Sequence, residues 1–476
     1  MAILSFNEAA HLLRRAGFGG KTSEIDELVS KGSREAAVDF LINYDRIDNS
    51  ALDTLLNQSF DFSDRQENDN FNRGEIRRWW LTRMVHSRRQ FEEKLTLFWH
   101  DHFATALSKV AFPLMHNQNL TLRSHALDRF DDLLLAVAKD PAMLTWLDGI
   151  TNVRGRPNEN FARELQELFS MGIFDVVTGE PNYTEEDIKE IARAFTGWRF
   201  RTDRQSSQIS YQWFVQANNH DNGPKRIFGD TANFSGEDVV TLISARRSTA
   251  RFLAWKLFNF FVYPMTNSAA DKATIEKFAD VYMQGDHSMK SLLRAIFTSD
   301  EFFSQRAFFS LIKSPIELVV GGVRMIGQYV PGPPGRQSSN VLFNLAARMG
   351  QSLYDPPDVD GWDGGPLWVN TSYMLERFNF ANSLATNRNT TNPGMFISVN
   401  QLSKYTKKNA KKTVKKFLSV LGPLDVENSV QATLRNYLET NDQGVSVPFE
   451  KSDAIVDKKI RGLVHQIMCL PEFQLN

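Results

Sequence analysis

The chain holds one cysteine in 476 residues, Cys469, in an apolar context near the C-terminus. One thiol excludes intramolecular disulfides and thiolate zinc sites. Long apolar runs are also missing. None reaches the ~20 residues that a membrane-crossing helix needs, so no membrane partner is expected. Charge of one sign is nearly absent: 55 lysines and arginines stand against 56 aspartates and glutamates, for a net charge of −1. That balance removes the electrostatic case for a dedicated nucleic-acid binder. A local basic run remains, "KYTKKNAKKTVKK" from Lys404 to Lys416. It reads as the solvated face of a helix. The opening "MAILSFNEAAHLLRRAGFGG" lacks a signal-peptide pattern, because its apolar part is short and arginines follow at once. The sequence as it stands is expected to be soluble, with its compartment open.

What is present is an ordinary globular balance, 42% hydrophobic and 23% charged, in a length that suits one large domain or two smaller ones. Helical periodicity dominates. It predicts helices over 7–16, 22–43, 73–88, 90–110, 120–138, 157–171, 184–196, 236–262, 269–284, 288–298, 312–329, 339–349 and 370–386. Shorter ones follow near 411–420, 426–440 and 453–468. The stretch 199–234 differs: "QISYQWFV" alternates apolar and polar residues, then "NNHDNGPKRIFG" reads as a loop. The expected fold is therefore all-α, a large multi-helix body with a small β-hairpin or loop insertion and long surface loops. Residues 1–198 form a helical part carrying the polar site, 199–234 the insertion and 235–476 a second helical part, together one continuous domain. Two more loops stand out. "YVPGPPGRQSSN" suggests flexible or polyproline-like chain, and "YDPPDVDGWDGGPLW" is rich in turn formers and aspartates.

The segment "LTLFWHDHFAT" puts His100 and His102 one residue apart among aromatics. On a regular helix, residues two apart do not face each other, so the pair cannot chelate one ion. Phe91, Leu95, Phe98, His102 and Ala106 share one face, which sends His102 inward and demands a polar partner. His100 then takes a separate surface or supporting role. A plain core histidine bonded to a carboxylate or carbonyl would also satisfy the pattern.

Polar residues accumulate downstream on the edges of apolar helix faces. In "PNENFARELQELFSMG", Asn160, Glu164 and Glu167 fall on one flank of the stripe formed by Phe161, Leu165, Leu168 and Phe169. Carboxylates so close to a core are costly unless paired; partial exposure would be the bland alternative. "WLDGITN" adds Asp148 and Asn152 just upstream. "YTEEDIKEIARAFTGW" opens with a capping box of Thr184 and Asp187 and ends at Trp198, a core plug or a stacking platform. His220, Asp221 and Lys225 lie in a loop with no obvious packing reason, and loops carry function more often than helices do. In the C-terminal half, "DPPDVDGWDGG" with Trp362 could bind a sugar or a cation, or serve only as a turn-rich connection.

These segments resemble a bacterial family catalogued as domain of unknown function 1800. The matching motifs are "AAHLLRRAGFG", "KLTLFWHDHFAT", "LLLAVAKDPAML", "PNENFARELQELFSMG", "YTEEDIKEIARAFTGW", "HDNGPKRIFG", "SPIELVVGGVRMIG", "DPPDVDGW" and "PEFQLN", in order along nearly the whole chain. The resemblance implies a helical protein, often exported and often encoded beside a sulfatase-like or phosphatase-like family, so a sulfatase-like neighbour is a candidate partner. It brings no reaction with it.

Three functions compete. The first is an enzyme that cleaves a glycan or related polar polymer, since two carboxylates in different environments can divide acid and base roles. Glu164 would be the acid/base with Glu167 or Asp148 as partner. His102 or His100 would orient or shuttle a proton. Asn158, Asn160, Trp198 and Trp362 would bind and stack substrate, with His220, Asp221 and Lys225 as further contacts. This reading needs no cofactor. The second is metal-dependent chemistry, with a divalent ion on one histidine and two carboxylates; the Glu-x-x-His signature of dinuclear bundles is absent. The third is a non-catalytic binding or assembly protein whose polar clusters fix helix register. Exposure separates them: a concave pocket lined by Glu164, His102 and His220 would favour an enzyme.

Overall fold

The computed structural model describes residues 3–62, 70–205, 208–333, 340–389 and 393–476. Half of the proline-rich 329–340 loop, residues 334–339, lies outside them. The described chain is a mainly helical body, with three two-stranded antiparallel sheets as its only paired strands beyond isolated bridges. The largest sheet is the expected hairpin: Trp198–Gln205 pairs with Gln208–Val215, from Trp198 opposite Val215 to Gln205 opposite Gln208. A smaller one joins Lys225–Ile227 to Asp230–Ala232.

Several expected helices are divided. The 22–43 segment becomes Thr22–Val29 and Arg34–Ile42, because Gly32 takes φ 86° and the Ser33 hydroxyl caps the next helix at the Ala36 N–H. The 120–138 segment divides into Phe112–Ser124 and Phe130–Lys139. The 236–262 segment divides into Gly236–Ser244 and Arg247–Phe261. Most consequential is the 90–110 helix. It spans Gln90–His102 and stops there.

Buried side chains form two apolar cores. One draws on residues between Leu4 and Ala307, the other on 18–142 together with 316–473. The Gln90–His102 helix lies between them: Phe91, Leu95, Phe98 and Trp99 enter the first, and Leu97 enters the second. Each such large apolar side chain, fully buried, is worth about 2–3 kcal/mol, so this helix is fixed from both sides. Its last turn, with Asp101 and His102, emerges at the seam. No helix among the described residues is long and apolar enough to cross a membrane.

Candidate active site

At that seam lies a cavity of about 520 Å³. Four segments supply most of its wall, with residues from 311–317 and Gln351 completing it. The last turn of Gln90–His102 supplies Phe98, Asp101 and His102, and the end of Asn160–Glu167 supplies Glu167. The Arg247–Phe261 helix presents Phe252, Trp255, Lys256, Asn259 and Phe260. Those positions follow i, i+3, i+4, i+7 and i+8, one continuous stripe of a helix. The aspartate-rich loop contributes Asp360, Trp362, Asp363 and, beyond it, Trp368.

Asp101 is the centre of this arrangement. Its Oδ1 accepts the Trp362 backbone N–H at 2.8 Å. The contact depends on Gly361, whose φ is +88° and whose missing Cβ would stand 2.4 Å from that same oxygen. Only glycine fits there. Burial pushes the Asp101 carboxyl up to about 6, against the opposing pull of the Trp362 N–H and of Lys256. Burial pulls the Lys256 ammonium down, while Asp101 and Asp360 favour its charge. The charges of the helix end, the aromatic stripe and the loop are thus interdependent.

The two histidines do part company, as the helical phase requires, but both are buried. His102 points inward. Its partner is the backbone carbonyl of Phe169 at 3.0 Å, rather than the Asn160–Glu164–Glu167 flank. A carbonyl only accepts, so Nε2 carries the proton and Nδ1 is a bare acceptor. That Nδ1 is buried without a partner, on a ring that lines the cavity. Burial, then the charge of Lys256, holds the ring neutral by lowering its pKa well below the usual value. His100 is 1% exposed and is not a surface residue. Its Nε2 accepts the Tyr354 N–H at 3.1 Å, and its ring lies against Trp80, Tyr354 and Trp362. Burial lowers its pKa to about 3. It anchors the start of the aspartate-rich loop from within.

The carboxylate flank reaches the cavity through Glu167. Its Oε1 accepts from the Tyr183 hydroxyl at 2.7 Å and from Arg163 at 3.3 Å. Burial, then that hydrogen bond, raises the Tyr183 phenol. Glu164 stands one turn earlier, outside the lining residues but within the same field. Burial, then repulsion from Glu167 and Asp360, raises its carboxyl to about 7. Glu317, also in the wall, is committed elsewhere: it forms an ion pair with buried Lys94 and accepts the Ser314 N–H at 2.6 Å.

The other residues singled out in the sequence lie apart from the cavity. Asp148 sits at φ 57° and pairs with Lys109 at 2.9 Å near the surface. Asn158 holds the turn into its helix, its Oδ1 accepting the Asn160 N–H at 3.0 Å. The Asn160 side chain is exposed. Trp198 is the core plug of its two alternatives: it is 1% exposed, with Phe195 and Trp213 at 4.7 and 4.9 Å between centroids. The 220–225 loop has a packing reason after all. His220 donates to the Thr196 carbonyl at 2.8 Å, Asp221 accepts Arg193 at 2.8 Å, and Lys225 donates to Gly223 and Asn233. His220 therefore does not meet His102 in one pocket.

Asp101, Lys256 and Trp255 escape the sequence reading, whereas Asp360 belongs to the aspartate-rich loop that it singled out. Asp101 was masked by the histidines flanking it. A signal for Lys256 does exist: in "FLAWKLFNFF" two polar residues, Lys256 and Asn259, interrupt an aromatic helix face. Among the described residues no three histidine, cysteine, aspartate or glutamate side chains group so as to hold a metal ion.

Residues 11–475 match the family described as Protein of unknown function (DUF1800), and the chain belongs to that family. No curated protein and no solved structure matches it.

Proposed function

We propose that this member of the DUF1800 family is an acid–base enzyme acting on a glycan or related polar polymer, with Asp101 and Glu167 as its working carboxyls. The observation that carries the reading is that two carboxyls face one cavity from opposed environments. Asp101 is half-buried at a helix end and held protonated up to about pH 6. Glu167 is bound by an arginine and a phenol. Such a difference assigns the roles: Asp101 donates a proton to the leaving oxygen, and Glu167 acts as base or nucleophile. Glu164, one turn from Glu167, is held neutral below about pH 7 by burial and by the charge of Glu167. Trp255, Trp362 and Trp368 offer apolar faces on which sugar rings can pack. Lys256 modulates Asp101 and can contact a substrate oxygen.

The test is a panel of oligosaccharides with α and β linkages, scored by release of reducing ends from the full chain. Asp101→Asn and Glu167→Gln should each lower kcat by about 10²–10⁴, as expected for loss of a general acid or base. The anomer formed first then decides whether Glu167 attacks carbon directly or activates water. Turnover by both variants at the wild-type rate would sink the assignment. Chelator dialysis with elemental analysis tests the metal-dependent alternative in the same preparation.

A further inference from the structure

The cavity wall is unbalanced in both charge and hydrogen-bonding sense. Asp101, Glu167, Asp360 and Asp363 face it, and Lys256 is the one lysine or arginine among its lining residues. Glu317 is neutralised by Lys94 and does not alter the count. The hydrogen-bonding sense agrees. His102 presents an unpartnered, buried Nδ1, an acceptor awaiting a donor. The Asn259 amide is engaged within the protein, donating to the Trp255 carbonyl at 2.8 Å and accepting from Met265 at 2.7 Å, while Gln351 uses its oxygen to accept from Ile316 at 2.9 Å. A ligand suited to this wall brings a donor for the His102 Nδ1 and a positive charge for the carboxylates, and is not anionic. An ammonium group has three donors and no acceptor, and it is drawn to the aromatic faces of Trp255 and Trp362 as well.

We infer that the cleft selects saccharides carrying a free amine, and rejects sulfated and uronate-bearing polymers. The inference rests on the acid–base reading above for catalysis, but binding can be tested without it. A bound cation favours ionised Glu164, whose carboxyl titrates at about 7, so binding should release protons near pH 7.

The probes are glucosamine oligomers, their N-acetylated counterparts and O-sulfated or uronate oligomers of equal length. Binding to the full chain is measured by calorimetry in two buffers of different ionisation enthalpy, with cleavage followed in parallel. Glucosamine oligomers should bind at least about tenfold more tightly than the N-acetylated set, which corresponds to one ordinary charged contact. They should release protons on binding, and the sulfated set should not bind. Asp360→Asn with Asp363→Asn should erase most of the amine preference. Tightest binding or fastest cleavage of sulfated or uronate oligomers would overturn the inference and leave the acid–base reading standing. Binding of none of the three sets would overturn it too. Amine-selective binding without cleavage of any oligomer would sustain the inference and remove the acid–base reading.

Discussion

Two polar clusters in this protein look alike as sequence and differ as chemistry. One surrounds Asp101, Glu167 and Lys256; the other joins Glu190, Arg193, Asp221 and Lys225. Both mix acids and bases on helix edges beside a loop. In the second cluster every charge is answered: Arg193 binds Glu190 and Asp221, Glu190 also accepts the Arg226 N–H, and Lys225 donates to Gly223 and Asn233. In the first, Lys256 has no hydrogen bond or ion pair among the described residues, His102 keeps a bare Nδ1, and Asp101 titrates near 6. A saturated cluster holds a loop in place, whereas an unsaturated one beside a cavity leaves groups free for a ligand. Saturation is the discriminating property, and residue type is not.

The comparison can be broken most directly by activity. Asp221→Asn should leave turnover within about threefold of wild type, while Asp101→Asn removes about 10²–10⁴ of it. Equal losses in an oligosaccharide assay would erase the distinction.

Stability should move the opposite way. The Asp101 carboxyl titrates at about 6 in the fold against an ordinary 3.8. The folded state therefore holds more protons than the unfolded state between those values. The stability this contributes is complete below about pH 4 and is lost as pH rises through 6. Asp101→Asn, neutral at every pH, should stabilise the protein at pH 8 by up to about 3 kcal/mol, from a shift of about two pH units at 1.36 kcal/mol each. Arg193→Ala should destabilise it by about 1–3 kcal/mol at the same pH, because two carboxylates lose their partner. Urea unfolding of both variants at pH 4 and pH 8 checks the signs.

A smaller effect sharpens the first cluster alone. Lys256 lowers the Asp101 carboxyl, so Lys256→Met should raise it. The alkaline limb of the pH–rate profile should move upward by about half a unit to one unit, the range expected for loss of one nearby charge. An unmoved limb would detach Lys256 from Asp101.

Much of the fold was legible because it rests on periodicity. The 269–284 helix was placed at its observed ends, and the hairpin beginning at Trp198 followed from alternation and turn residues. The divided helices were less legible, because a cap such as Ser33 inside a continuous apolar pattern is a local event. For the site, phase alone sent His102 inward and separated it from His100, and the turn-rich loop supplied Trp362. The partner of His102 was not legible, since a backbone carbonyl leaves no mark in the sequence. Asp101 and Lys256 were missed for a related reason: they lie more than 150 residues apart, and only the packing of two helices at one seam brings their charges together.

Gly361 carries no charge, yet it governs the acidity of Asp101, the proposed proton donor. Its bare Cα lets the loop lie against Asp101 closely enough for a main-chain N–H to stabilise the carboxylate. Gly361→Ala would push the loop back, weaken that hydrogen bond and raise the Asp101 carboxyl further. The acidity of the Asp101 carboxyl, and with it the pH range of the proposed activity, can therefore be retuned at a position with no titratable atom. An engineer seeking a variant for more alkaline media has a steric dial in Gly361 that leaves every acid and base of the site in place.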